Sequence, residues 1–415
     1  MNHGIVVVGG GFAGLWSAAA AARLRDELAL SDAIPITLVA PGPLHVVRVR
    51  CYEADLAPVG IPLDDVLGPI GVRRIEGRVT GIDPGARRVA VQPRSGPVAA
   101  LPYDRLILAA GSALVRPPVP GADTALDVDT LDGARALARH LDALAAGTVG
   151  RSQAGRWAAV VVGAGLVGIE VACELPARLA AARDRAGETG PVATILLDHA
   201  PEVGRTMGGA AMPAIRQALA AAGVTGLGGV GVGLIDAAGV TLDDGTRIPA
   251  LTVLCATGMR ASPLAGSFGV PCDALGRVPV DGQMRVAGRS DVFAAGDAAV
   301  AVADPAGHRT VMSCQHARPM GRFAGHNALC DLAGRPDRLL DFSAPDYVTV
   351  LDLGSWGAVY TAGWNRDRLV AAGSEAKATK RVINGSRIVP PLDRDRTAIL
   401  AAAAPVIQAA PAHAR

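Results

Sequence analysis

Two glycine-rich loops of the same spacing set the strongest limit on how this chain can fold. The first, Gly9-Gly10-Gly11-Phe12-Ala13-Gly14, follows the short apolar run 4–8 and precedes the helix-forming run Leu15 to Leu28. The second, Gly163-Ala164-Gly165-Leu166-Val167-Gly168, follows the run 157–162 and precedes Ile169 to Leu179. A β-branched run feeding a glycine turn and then a helix is the start of a parallel βαβ unit. In each loop the first glycine (Gly9, Gly163) permits the tight turn and the second (Gly11, Gly165) lets a pyrophosphate approach the backbone. The third (Gly14, Gly168) lets the helix lie close to the strand. The helix N-terminus then offers N–H donors and positive potential to the phosphates. One such loop arises by chance; two, each in context, predict two dinucleotide-binding units.

The acid that follows the second strand of such a unit accepts from a ribose 2′-OH, and here it separates the two sites. The run Val192 to Leu197 ends at Asp198. A carboxylate there repels the 2′-phosphate of NADP, since unit charges about 4 Å apart are worth roughly 4 kcal/mol at an effective dielectric near 20. NADH is therefore the expected nucleotide and NADPH the disfavoured one, with Arg205 close enough in sequence to soften the preference. In the first unit Ile36 to Val39 runs into Ala40-Pro41, with no acid, so the ribose there must be held in another way.

At 415 residues, half of them hydrophobic, the chain is long enough for two or three packed domains. A formal charge of +2 with no block of like charge gives no basic face for nucleic acid. The basic residues are almost all arginine, the only lysines being Lys377 and Lys380. Cys51, Cys173, Cys255, Cys272, Cys314 and Cys330 form no CxxC pair, which argues against a metal site or a dithiol centre and suits a reduced, cytoplasmic setting. Glycines interrupt the apolar stretch 5–22, which reads as strand–turn–helix rather than a signal peptide. The Ala-rich stretch 398–410 is too short to span a bilayer, so no transmembrane segment is expected.

Three further segments complete a pattern. Tyr103 to Ser112, containing Ala110-Gly111, and Leu251 to Gly258 look like the strands that close each nucleotide-binding unit. Val292 to Asp297, ending Gly296-Asp297, looks like a late FAD motif whose Asp reaches the ribityl and pyrophosphate region. Over residues 4–330 the order resembles the two-dinucleotide-domain flavoproteins of the pyridine-nucleotide oxidoreductase superfamily. Within it the chain looks most like the type II NADH:quinone oxidoreductases: Gly163 to Glu174 resembles their second loop, Ser313-Cys314-Gln315-His316-Ala317 their Ala-Gln-x-Ala segment, and Tyr52-Glu53 their Tyr-Glu pair. Cys314 stands where that family has Ala, and the acid is missing at Ala40.

The resemblance implies FAD in the first loop, with Gly9, Gly11, Phe12, Ala13, Gly14, Ala110, Gly111, Gly296, Asp297, Gln315 and His316 as its binding residues. It implies a nicotinamide dinucleotide on Gly163, Gly165, Gly168, Asp198 and Gly258. Hydride would pass from NADH to the flavin and electrons onward to an acceptor, with a quinone expected first. Such chemistry needs alignment more than acid–base groups. Glu170, Gln315, His316 and Lys377 are the candidate catalytic residues. Each of the first three also has a structural reading: Glu170 as a favourable charge at the start of a helix, Gln315 and His316 as ordinary residues entering one, although His316 is also able to give a proton near neutral pH. Asp297 could also be an N-cap, which is compatible with the cofactor role that its Ala-Ala-Gly-Asp context favours.

The implied fold class is α/β, with two Rossmann-like dinucleotide-binding domains and a small C-terminal α+β segment. The expected boundaries are a FAD domain over 1–115 and 288–340, a NAD domain over 116–287, and residues 341–415 packed over the flavin or forming a dimer contact. Strand-like runs at Tyr347 to Leu351 and Ala358 to Tyr360 suit a small sheet in that last part. The family usually rests C-terminal amphipathic helices on the membrane, but residues 394–415 have no aromatics and two prolines, which puts contact with the inner face of the membrane, and membrane quinone, in doubt. Two other uses of the same fold stay open: a thiol- or sulfur-linked flavoenzyme working through Cys51 or Cys314, with Cys51 as a packing residue the favoured reading, and a redox-dependent binding module.

Overall fold

The computed structural model describes residues 3–30 and 33–412. Its first sheet is parallel throughout, in spatial order 292–294, 105–108, 5–8, 36–40 and 73–76. The second, also parallel, runs 224–227, 193–197, 158–162 and 252–255. In both, the strand before the glycine loop lies centrally, and its two neighbours come from opposite ends of the unit. That is the switch point at which open α/β sheets bind ligands. The strand Ile5–Val8 is buried on both faces, with no residue more than 2 % exposed, as a continuous apolar run between helix layers must be.

The late strand Val292–Ala294 joins the first sheet, so that unit is discontinuous in sequence. Ala265, Phe268, Val278, Met284 and Val286 pack into the first core, although the boundary at 287 assigns them to the second unit. The two units are stitched by Ser112–Leu114 pairing antiparallel with Met259–Ala261. A three-stranded antiparallel sheet, Val348–Asp352, Ala358–Ala362 and Arg368–Gly373, follows where the strand-like runs were expected. The helix Ser374–Val382 packs on it, and the helix Arg396–Ala402 lies against the first helix, Phe12–Glu27.

That first helix and the helix Cys314–Leu332 pack unusually closely. A Cβ on Gly321 would come within 2.3 Å of Ala13 O, and one on Gly325 within 2.0 Å of Ser17 O. Glycines one turn apart in the middle of the 314–332 helix therefore let it lie close to the N-terminal half of the first helix. No helix among the described residues is long and apolar enough to cross a membrane.

Candidate active site

Both glycine loops have the geometry that their spacing predicts. Gly9 has φ +113° and Gly163 φ +102°, values that disfavour any side chain. A Cβ on Gly14 would lie 1.9 Å from Gly9 O, and one on Gly168 1.8 Å from Gly163 O, so helix and strand touch at these positions. Gly11 and Gly165 are the N-cap residues and face open space, with no atom within 4 Å of a built Cβ. Neither helix has a side-chain cap or an acid in its first turn, which leaves the N–H donors for a ligand. Ala110 is half-buried, and Gly111 and Gly258 also border open space. The residues present therefore fit two bound dinucleotides.

Asp198 stands at the end of its strand, 6 % exposed, and its Oδ1 accepts from Ala200 N–H at 3.0 Å. In the first unit Ala40 is buried, and the acid beside it in register is Glu76, held by Arg74 at 3.1 Å. Asp297 accepts from Ser112 Oγ at 2.7 Å, with Arg48 Nη1 at 3.7 Å. Arg48 also donates to Asp129, to Ser112 Oγ and to Met259 Sδ, so it links Asp297 to the ends of the closing segments of both units. Sequence reasoning did not single out Arg48, since its partners lie far along the chain. It also missed His45, fully buried, whose Nδ1 sits 3.0 Å from Gly10 O and whose ring meets Phe12 edge-on. Burial pushes the His45 imidazole down to about 4.

The helix Cys314–Leu332 packs on the first unit, against its first helix and the segment that ends at Asp297. Ser313 Oγ caps it, and the Cys314 thiol lies in the fields of Arg318, Lys380 and Asp297. Gln315, half-buried, donates to Asp346 O at 3.0 Å. His316 is 1 % exposed, its Nδ1 accepts from Val311 N–H, and it stacks against Tyr347 and Trp364. Burial lowers its imidazole to about 4, which weighs against a charged proton donor near neutral pH.

Both lysines enter one polar cluster, through different partners. Lys377 Nζ binds Asp352 and Gly354 O, whereas Lys380 Nζ reaches Glu170 Oε1 at 2.8 Å and Val350 O at 2.9 Å. The helix Ser374–Val382 turns Lys380 inward, 7 % exposed, and leaves Lys377 on the flank. Glu170 lies beyond the first turn of its helix, is 1 % exposed, and also accepts from Asp352 N–H at 3.1 Å. Burial pushes its carboxyl up to about 7 against the pull of the Lys380 ammonium. Tyr52 donates to Asp352 Oδ2 at 3.0 Å, so residues from both units and the C-terminal sheet share one buried polar cluster.

The thiols fit a packing role. Cys51 is fully buried against the second core, and burial raises its thiol to about 12. The Cys314 thiol is raised by the same cause. Neither is held as the thiolate that sulfur chemistry requires.

Two parallel sheets with glycine loops at their switch points, joined by the pairing of Ser112–Leu114 with Met259–Ala261, define a two-domain nucleotide-dependent oxidoreductase. The chain belongs to the pyridine nucleotide-disulphide oxidoreductase family, which matches residues 3–321. A NADH dehydrogenase-like protein of Mycobacterium tuberculosis is 50 % identical over 409 residues, 98 % of this chain and 99 % of that one. A type II NADH:quinone oxidoreductase from the same species is 32 % identical over 316 residues, 71 % of this chain and 66 % of its own. The NDH2 structure from Plasmodium falciparum superposes with a TM-score of 0.77 at 11 % identity, covering 97 % of each chain, a likeness of fold. The chain is thus a flavin- and nicotinamide-dependent oxidoreductase.

Proposed function

We propose that the protein is an NADH:quinone oxidoreductase that binds FAD on the first loop and NADH on the second. The observation that carries this reading is the pair of uncapped helix N-termini, each behind a glycine loop at the switch point of a parallel sheet, with Glu170 of the second helix paired to Lys380, whose field also reaches Cys314. A flavin bound there supplies the hydride acceptor and the two-electron store. Gly9, Gly11, Phe12, Ala13, Gly14, Ala110, Gly111, Gly296 and Asp297 would hold it, with Glu76 as the acid beside the ribose. Gly163, Gly165, Gly168, Gly258 and Asp198 would hold the NADH. The positive end of the 314–332 helix favours negative charge beside it. Glu170, with its carboxyl near 7, holds or releases a proton at neutral pH, and Lys380 keeps it in place. The overall reaction takes NADH, a proton and a quinone to NAD⁺ and the quinol.

Quinone as the acceptor draws support from the named activity of the 32 %-identical relative and from the high pKa of both candidate thiols. The test is to reduce the holoprotein with one equivalent of NADH without oxygen and mix it with short-chain quinones, disulfides or a ferredoxin. Rapid return of the yellow colour with quinones alone is expected; faster reoxidation by a disulfide would overturn the assignment.

A further inference from the structure

Two arginines behind the start of the 314–332 helix have no acid. Arg318 is 6 % exposed and Arg322 2 %, and their guanidinium groups lie over the Trp16 ring at 5.4 and 4.4 Å. Arg318 donates to Gln408 Oε1 at 3.1 Å. Among the described residues Arg322 makes no hydrogen bond or ion pair, and Nε of both arginines is buried without a partner. A buried cation without an anion is costly, and stacking on an indole recovers only part of that cost.

A segment near the C-terminus reaches Arg318 through Gln408. Beyond the helix Arg396–Ala402, residues 404–412 have no regular structure. They are tied by Gln408 to Arg318, by Ala409 O to Arg387, and by Pro411 O to Tyr360 OH at 3.0 Å. Val406 is 53 % exposed and Ile407 37 %, so this strap gains little from apolar burial. A segment held by a few polar bonds opens readily. Cys314, Arg318 and Arg322 follow one another at steps of four, on one face of the helix, with Cys314 at its start. Side chains one turn apart are about 5–6 Å from each other at Cβ. A ring placed against Cys314 would therefore carry a substituent on its edge to Arg318.

We propose that Arg318 and Arg322 form an oxyanion subsite for an acceptor that is a quinone bearing an anionic group, and that residues 404–412 are a strap over it, released when the ligand's anion replaces Gln408 on Arg318. This rests on the quinone reading. The experiment mixes the NADH-reduced holoprotein with naphthoquinone and with its sulfonated analogue, and measures reoxidation rates. The sulfonated quinone should react at least about tenfold faster at low concentration, in keeping with the strength of a hydrogen bond to a charged group. Arg318→Gln or Arg322→Gln should bring the ratio toward one, and a chain ending at Ala403 should raise the association rate of the sulfonate. Hydrogen exchange over 404–412 should increase when redox-inactive naphthalenesulfonate is added to the unreduced holoprotein, with calorimetry giving its affinity.

A ratio equal in wild type and both arginine variants, or unchanged exchange at saturating naphthalenesulfonate, overturns the proposal. Should an arginine variant fail to fold, Gln408→Ala and the shortened chain carry the same comparison. If neither quinone reoxidises the flavin, the quinone reading fails, and naphthalenesulfonate binding that depends on Arg318 still decides whether the subsite exists.

Discussion

Replacing Lys380 by Met removes the ammonium that sits 2.8 Å from the buried Glu170 carboxylate. The folded protein holds this carboxyl at about 7 instead of 4.5. Because the folded value is raised, Glu170 costs nothing below pH 4.5, where folded and unfolded chains are both protonated. Stability falls through the window from 4.5 to about 7 and then levels off. At about 1.4 kcal/mol for each pH unit, the wild-type cost levels at about 3 kcal/mol. Without Lys380, burial acts unopposed, the carboxyl stays protonated in the fold, and the cost keeps growing above pH 7. The variant should match wild type in urea unfolding near pH 5 and fall about 2 kcal/mol below it near pH 8.5, somewhat less than the roughly 3–5 kcal/mol of a fully broken buried pair. Lys380→Met combined with Glu170→Gln should lose the pH-dependent part. A stability loss that is the same at both pH values would refute the pairing argument.

Asp198→Ala should narrow the preference for NADH over NADPH in flavin reduction by at least about tenfold, as loss of a repulsion worth up to roughly 4 kcal/mol implies; an unchanged ratio would remove Asp198 from the ribose site. Gly14→Ala, whose Cβ would meet Gly9 O at 1.9 Å, should abolish flavin retention, read as the flavin-to-protein absorbance ratio of purified protein. Cys51→Ser should leave NADH-driven quinone turnover within about twofold, because the buried thiol is far from ionising; a loss beyond tenfold would revive sulfur chemistry. His316→Gln should not abolish an alkaline or neutral pH limb of turnover, since the imidazole is already neutral above about 4; disappearance of a limb near neutrality would restore it as a proton donor.

The parts of the site made by local backbone were legible in the chain. A glycine loop between a buried strand and a helix carries its own geometry, so Gly9, Gly14, Gly163 and Gly168 could be placed from spacing alone. Asp198 followed from its position at a strand end. What spacing could not show was which long side chains fold inward. Lys377 and Lys380 are three residues apart on one helix, and only the packing of that helix on the C-terminal sheet decides which meets Glu170, a contact 210 residues away in sequence. Arg48 and His45 were invisible for the same reason, as was the arginine pair under residues 404–412. The signal that existed was scarcity: in a chain with two lysines, both lie in one buried cluster.

The most direct test is anaerobic stopped-flow reduction of the purified holoprotein. The account predicts a yellow protein whose bound FAD is bleached by NADH much faster than by NADPH. A protein that carries no flavin, or one that NADPH bleaches as fast as NADH, would contradict it.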